Sequence, residues 1–172
     1  LTKEDLVERA QDVRDALEDA SARVATIAQV HDHLWRGSQI GFVDLEDFMN
    51  ELCKKLKGST DKLTLHCHAD PMRMSADHAI PLGLLVNELV TNAVKYAYPE
   101  GNGAIEISAR EIAGHLHVEV SDQGIGLPDG FDIDQPRSSL GFKVINGLVR
   151  QLQGQITVES NATKGTRFMM DL

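Results

Sequence analysis

The sequence has little cysteine, few aromatic residues and no long hydrophobic run. Its two cysteines, Cys53 and Cys67, lack the spacing of a metal-binding pair and are too few for a disulfide framework. A reducing, cytoplasmic location is therefore expected. Because no apolar run approaches the roughly 18 residues that a membrane span needs, no membrane contact by this chain is predicted.

Positive charge is also scarce. The 17 lysines and arginines face 26 aspartates and glutamates, which gives a net charge of -9. A surplus of negative charge repels a polyanion, so nucleic acid is not an expected partner. The hydrophobic share of 42% and the charged share of 25% are those of an ordinary globular protein. Because the sequence begins with Leu1 rather than methionine, we expect a piece of a longer protein.

Residues 2–36 contain neither proline nor glycine, and they carry a heptad pattern. Apolar or small side chains recur in alternating steps of four and three, at Leu6, Ala10, Val13, Leu17, Ala20, Val24 and Ile27, and then at His31 and Leu34. This seam predicts a helix of about 50 Å. Its narrow stripe suits another helix, so a homodimer through this coiled-coil helix is expected. The alternative is a single helix that folds back on its own domain.

The pattern ends at Gly37 and Ser38, and a domain of different composition follows. We predict a dimerisation helix over 1–38 and a second domain over 42–172. Periodicity, caps and turn residues predict helices over 44–57, from 75 or 77 to 98 and over 139–152, with strands over 63–68, 104–110, 115–121, 155–160 and 166–171. This order predicts an α+β two-layer sandwich, in which a mixed, mostly antiparallel sheet carries helices on one face.

The segment NELVTNAVKYAYPEG within the second predicted helix of this domain carries a polar stripe. Glu88, Asn92 and Lys95 share one face of the helix, while the same turns carry many apolar residues. A helix buried by those residues can offer its polar stripe only to a cleft. An amide oxygen suits Mg²⁺ and an ammonium suits phosphate. The stripe therefore predicts a site for a magnesium-bound polyphosphate.

A second segment, VSDQGIGLPDG, follows directly after a predicted strand. Gly124 and Gly126 allow the backbone to approach a flat ligand, and Asp122 can accept a hydrogen bond from an exocyclic amino group such as that of adenine. The alternative is an Asp-Gly turn that binds nothing. The glycine spacing is not that of a Rossmann or P-loop motif, so neither phosphate cradle is predicted.

A third segment, RSSLGFKVI, places Ser139, Leu140 and Gly141 at the start of a predicted helix. Free backbone N–H groups and the helix dipole favour phosphate at such a position. Arg137 and Lys143 lie close by in the sequence and add positive charge. The segment therefore predicts a second contact with an anionic ligand.

In this order, the three segments and the final GTRF resemble the ATP-binding domain of the gyrase, Hsp90, histidine kinase and MutL superfamily, the Bergerat fold. The resemblance is closest to bacterial sensor histidine kinases with the HisKA-2 type of dimerisation domain. ALEDASARVATIAQVHDHLW resembles the second dimerisation helix of that family, and PLGLLVNELVTNAVKYAY resembles its N box. The resemblance covers essentially the whole chain.

The resemblance implies ATP and Mg²⁺ as cofactors and assigns roles to several residues. Asn92 would be the magnesium ligand and Lys95 a phosphate contact. Asp122 would recognise the adenine amino group, and Thr166 would support adenine through water. Glu88 occupies the position of the general base in hydrolysing members of the superfamily.

The same resemblance places further residues near the nucleotide. Tyr96 would lie beside it, Gly124 and Gly126 would pass the base and ribose, and Gly141 would lie under the phosphates. The glycine-rich second box of the family is reduced here to Ser139, Leu140 and Gly141, and the lid before it is short. Closure over the phosphates is therefore expected to rely on Arg137 and Lys143.

The implied function is that of a histidine kinase catalytic region, which transfers the γ-phosphoryl of ATP to a histidine. The receiver domain of a response regulator would then take the phosphoryl group. The family's acceptor motif, His-Arg-x-x-Asn, is absent from this sequence, so the acceptor histidine is expected elsewhere. His31, followed by Asp32, is a weaker candidate acceptor. Two rival functions are a serine kinase like the anti-sigma factors and a docking module that no longer binds ATP.

Overall fold

The computed structural model describes residues 2–36, 41–58, 60–135 and 140–172, and its first element is a long helix, α1 (Lys3–Arg36). The helix begins at a reciprocal cap, in which the Asp5 backbone N–H donates to Thr2 Oγ1 at 3.1 Å and the Thr2 N–H donates to Asp5 Oδ2 at 2.7 Å. The predicted helix is thereby confirmed. In the described ranges, no helix combines the length and apolar character that crossing a bilayer requires.

The remaining elements form the predicted α+β arrangement. In chain order they are β1 (Phe42–Asp44), α2 (Leu45–Gly58), β2 (Leu63–Ala69), β3 (Arg73–Ser75), α3 (Ala76–Asn92), a π-helical turn (Ala93–Ala97), β4 (Gly103–Ile112), β5 (His115–Asp122), α4 (Leu140–Gln151), β6 (Gln155–Asn161) and β7 (Gly165–Asp171). The five-stranded sheet has the order β2-β4-β5-β7-β6. β2 runs parallel to β4, with Leu63 opposite Gly103, and the other neighbouring pairs are antiparallel.

One face of this sheet forms the core together with α2, α3 and α4. In β5 the buried positions alternate through Leu116, Val118, Val120 and Asp122, as expected for a strand that packs on one side only. Helix side chains such as those of Leu82 and Ile145 are fully buried against this face. The same alternation that buries Val120 turns Asp122 toward the helices, although aspartate is seldom buried.

Two features differ from the prediction. β1 and β3 pair as a separate small ladder, which the sequence did not indicate because strands of three residues show no periodicity. The helix predicted to continue to residue 98 changes from α-helical to π-helical hydrogen bonding after Asn92 and continues as the π-helical turn. π turns are rare and often accompany functional sites, and here the wider turn carries Lys95 and Tyr96.

The second half of α1 packs against α3, whereas residues 2–18 are all exposed. Its less exposed side chains are Asp19, Ala22, Arg23 and Thr26, at helical spacing of i, i+3, i+4 and i+7. The apolar seam lies elsewhere on the helix, and Leu17 and Val24 are 64% and 65% exposed. This part of α1 therefore folds back on its own domain through a polar stripe. The domain boundary was predicted between residues 38 and 42. Because residues 37–40 lie outside the described residues, this boundary stays a prediction.

Candidate functional site

A cavity of about 710 Å³ opens between α3, the π-helical turn, the end of β5, the loop that follows β5, and β7. Its volume lies in the range typical of small-molecule sites. Of the residues singled out in the sequence, the structure brings five together in its lining: Asn92, Tyr96, Asp122, Gly126 and Thr166. These residues are up to 74 positions apart in the chain, so it is the fold that unites them.

Asp122 is the most buried carboxylate of this lining, with 9% of its surface exposed. Its Oδ1 accepts hydrogen bonds from the backbone N–H of Gly124 at 2.9 Å and of Thr166 at 3.3 Å. Burial raises the pKa of Asp122, and these two hydrogen bonds oppose the rise. The other oxygen, Oδ2, receives no donor from the residues that the structure describes, so it can accept a hydrogen bond from a ligand.

Thr166 is held beside Asp122 by a small polar network. Its hydroxyl lies 3.1 Å from Ser160 Oγ, which also accepts a hydrogen bond of 2.7 Å from the Leu127 backbone N–H. Ser160 therefore joins β6 to the loop after β5 at the rim of the cavity. Sequence reasoning missed Ser160, because a single serine before a turn gives no signal.

Asn92 presents an unsatisfied group at the cavity. Its Nδ2 is buried and has no hydrogen-bond partner within the described part of the chain. Leaving a buried donor unpaired costs about 1–3 kcal/mol, so such a group is expected to meet a ligand. The amide also carries an acceptor oxygen and can present either atom on rotation about its last bond. Asn92 thus fits a phosphate acceptor with one atom or a hard cation with the other.

Gly124 and Gly126 are both positions that suit glycine, but for different structural reasons. At Gly124 a Cβ would overlap the carbonyl oxygen of Ala97, which also accepts a hydrogen bond of 2.9 Å from the Ile125 N–H. Gly124 is therefore needed for the contact between this loop and the π-helical turn, and it does not line the cavity. Gly126 does line it and has a φ of +77°, which glycine adopts readily.

Tyr98 fixes the same loop from the other side. Its hydroxyl donates to the Ala104 carbonyl at 2.5 Å and accepts from the Gln123 N–H at 2.8 Å. The ring thereby ties the π-helical turn to β4 and to the residue after β5. The sequence had indicated Tyr96, whose side chain is 61% exposed at the cavity, rather than Tyr98.

Glu88 and Lys95 do not line the cavity but face α1. Arg23 donates hydrogen bonds to both carboxylate oxygens of Glu88, from Nε to Oε1 at 2.5 Å and from Nη2 to Oε2 at 3.1 Å. Lys95 Nζ lies 2.7 Å from Asp19 Oδ1. The polar stripe predicted to face one cleft is therefore divided, with Asn92 at the cavity and its neighbours in ion pairs with α1.

The apolar wall of the cavity was not predicted. It is built from Ile125, Leu127, Phe131, Phe142 and Phe168. The rings of Phe131 and Phe142 are 4.9 Å apart between centroids, and those of Phe142 and Phe168 are 6.0 Å apart. The one available signal was Phe131, a lone aromatic residue in a loop rich in glycine and aspartate. Such a wall suits a flat, partly apolar group.

The third predicted segment contributes little that can be located. Arg137 and Ser139 lie outside the described residues. Leu140 and Gly141 begin α4, Leu140 is 64% exposed, and neither lines the cavity. Lys143, on the same helix, is exposed. The proposed phosphate contacts of this segment stay predictions.

The chain belongs to the family described as histidine kinase-, DNA gyrase B- and HSP90-like ATPases, whose model matches residues 77–172. Residues 5–60 match a second family model, the histidine kinase HisKA_2 family. The resemblance found in the sequence is thereby confirmed, and so is the predicted fold class. The chain is a HisKA-2-type histidine kinase with a catalytic ATPase domain of the kind found in two-component sensor kinases.

Individual relatives agree with this family. The chain is 29% identical to the sensor histidine kinase PdtaS of Mycobacterium tuberculosis over 89% of its own length and 31% of PdtaS. It therefore spans about a third of that relative. The structure of the histidine kinase domain of a blue-light-activated histidine kinase from Erythrobacter litoralis superimposes with a TM-score of 0.80 at 22% identity, covering 90% of this chain and 74% of that one. The anti-sigma F factor of Geobacillus stearothermophilus is 29% identical over 61% of this chain and 76% of the factor.

Proposed function

We propose that the cavity binds the adenosine part of Mg-ATP and that the chain transfers the γ-phosphoryl group to a histidine. The observation that carries this proposal is Asp122, a buried carboxylate at the cavity with one oxygen engaged by two backbone N–H groups and the other left to accept. Adenine presents an amino group to such an acceptor, and the phenylalanine wall suits its flat ring.

Asn92 supports the phosphate end of the proposal. It lies at the same cavity as Asp122 with its buried amide unpaired among the described residues. We assign it as the protein ligand of Mg²⁺, which when bound would neutralise charge on the phosphates. Lys95 would contact phosphate, and Glu88 holds the position of a general base. In the transfer, the bond between the γ-phosphorus and the oxygen of ADP breaks while a bond to the acceptor nitrogen forms.

Nucleotide selectivity tests the assignment of Asp122. ATP should bind at least about tenfold more tightly than GTP, because guanine presents a carbonyl where adenine has its amino group, and two facing acceptors cost on the order of 1–3 kcal/mol. Asp122→Ala should lose most ATP affinity and this selectivity in calorimetry. The matched control is Asp129→Ala, which removes the same charge at the cavity rim and should keep the selectivity. Equal affinities for ATP and GTP in the unmodified chain would refute the assignment.

A second calorimetric series separates the metal ligand from the base. Asn92→Ala should lose the part of ATP affinity that depends on Mg²⁺, measured as the difference between titrations with Mg²⁺ and with a chelator. Glu88→Gln should retain that difference, since Glu88 is assigned as a base for the chemical step and not as a ligand of the metal. Normal Mg²⁺ dependence in Asn92→Ala would show that another group holds the metal.

The rival within the same fold is a serine kinase, and the similarity to anti-sigma F factor favours it over a docking module that does not bind ATP. The product distinguishes the two kinases, because phosphohistidine is labile to acid and phosphoserine is not. The long α1 argues for the histidine kinase, since its exposed apolar seam is suited to a second helix. We propose that this seam forms a homodimer and that a response regulator receiver domain accepts the phosphoryl group. The docking module predicts no nucleotide binding at all.

A further inference from the structure

Two ion pairs join α1 to residues of the proposed site. Asp19 pairs with Lys95 and, one turn later, Arg23 pairs with Glu88. Asp19 precedes Arg23 in the sequence, whereas its partner Lys95 follows Glu88. The two helical segments therefore pack antiparallel at this contact. The partners are 76 and 65 positions apart in the chain, so the contact exists only when α1 is docked.

The pair of Arg23 and Glu88 is the inner half of the contact. The Glu88 side chain is 7% exposed and that of Arg23 is 21% exposed. Both carboxylate oxygens accept from the guanidinium fork, the geometry in which such pairs are strongest. The hydrogen bonds to Glu88 raise the pKa of Arg23, with the Asp19 charge contributing, so the guanidinium stays charged. Both Glu88 oxygens then accept hydrogen bonds from Arg23, so a nucleophile would have to compete with the guanidinium for them.

The pair of Asp19 and Lys95 is the outer half. The ammonium lies 2.7 Å from the carboxylate, and the Lys95 and Asp19 side chains are 37% and 33% exposed. Under the proposed function Lys95 contacts phosphate, so Asp19 puts a carboxylate on the same cation that the nucleotide requires. A polyphosphate bound to Lys95 would bring several negative charges close to the Asp19 carboxylate, and like charges repel.

We propose that Asp19 and Arg23 form an inhibitory latch, in which docked α1 neutralises Lys95, holds Glu88 and competes with the polyphosphate of ATP. This inference rests on the proposed function and adds its regulation. By linkage, whatever favours docking of α1 on α3 weakens ATP binding, and ATP weakens docking by the same factor. The Asp19 carboxylate takes the place of a phosphate beside Lys95. Arg23, through its pair with Glu88, holds α1 in the position that this contact requires.

The test compares two isosteric substitutions on the same helix in the full chain. Asp19→Asn removes the charge that faces Lys95, while Asp12→Asn removes the same charge two turns earlier, where the helix is exposed. Calorimetry with Mg-ATP should give a Kd about fivefold lower for Asp19→Asn than for the unmodified chain, a coupling at the low end of the usual range. Asp12→Asn should leave the Kd within about twofold, since an isolated surface charge contributes little.

Adenosine distinguishes competition for Lys95 from a general loosening of the cavity. Because it carries no phosphate, adenosine should bind the unmodified chain and Asp19→Asn equally, as NMR titration would measure. Arg23→Gln provides a second route, since it releases α1 without altering Asp19 and should also lower the Kd for ATP. Circular dichroism would verify that each variant is folded. If Arg23→Gln does not fold, the result for Asp19→Asn alone decides the outcome.

The outcomes separate the latch from the function on which it rests. An unchanged or higher Kd for ATP in Asp19→Asn would overturn the latch and leave the proposed function standing. Equal tightening of ATP and adenosine would overturn it too, because the effect would not act through the phosphates. If neither the unmodified chain nor Asp19→Asn bound ATP, the proposed function would fail and the latch with it.

Discussion

Incubated with Mg-ATP, the 172-residue chain should bind the nucleotide and yet not phosphorylate itself. The sequence has no His-Arg-x-x-Asn motif, and transfer needs an acceptor nitrogen in line with the γ-phosphorus. Losing that placement forfeits an effective-molarity gain of about 7–11 kcal/mol, enough to make the reaction undetectable. Radiolabelled ATP followed by gel analysis at neutral and at acid pH measures the result.

His31 provides the internal control for this experiment. It lies on α1, and His31→Gln should leave both nucleotide binding and the absence of label unchanged. Acid-labile label on the unmodified chain that disappears in His31→Gln would contradict the prediction and identify His31 as the acceptor. Adding a protein that carries the dimerisation helix with the motif should restore transfer, and the label should then appear on that protein.

Substitution of two glycines by alanine should change stability in opposite directions. At Gly124 the added methyl group would overlap the Ala97 carbonyl, so the loop after β5 has to move from the π-helical turn. We expect Gly124→Ala to lower the free energy of unfolding by about 3 kcal/mol, the upper part of the range for overpacking. Gly147 lies inside α4 with nothing near its added Cβ, so Gly147→Ala should raise that free energy by about 1 kcal/mol.

Thermal unfolding followed by circular dichroism measures both changes. For a chain of this size, 1 kcal/mol corresponds to roughly 2–4 °C in Tm, so the two variants should differ by about 8–16 °C. The pair is matched because each variant gains one methyl group and loses the same backbone freedom in the unfolded state. A Gly124→Ala chain as stable as the unmodified one would mean that the loop does not rest on Ala97.

Much of the fold followed from local patterns. The strands predicted over 104–110 and 115–121 are joined by a tight hairpin turn at Ala113 and Gly114, which both have positive φ, 53° and 82°. Heptad and strand alternation located α1, β4 and β5. The pairing of β2 with β4 could not be predicted in this way, because parallel neighbours that are 40 positions apart leave no local mark.

In the candidate site, too, residues with a local sequence signal could be predicted and contacts between distant segments could not. The spacing of Asn92 and the position of Asp122 after a strand were sufficient to propose them, because their signals are local. The partners of Glu88 and Lys95 were not, since Asp19 and Arg23 look like an ordinary solvated face of a helix. The phenylalanine wall comes from three separate elements, and no single segment indicates that their rings meet.

The position of β7 within the sheet has a consequence for synthesis. β7 follows β6 in the sequence, but it lies between β5 and β6 in the sheet. Until β7 has left the ribosome, β5 has one edge without a neighbour, and Asp122 lacks the Thr166 N–H that helps to orient it. An unpaired strand edge in a growing chain favours aggregation. The nascent domain is therefore most vulnerable just before the cavity lined by Asp122 and Thr166 is complete.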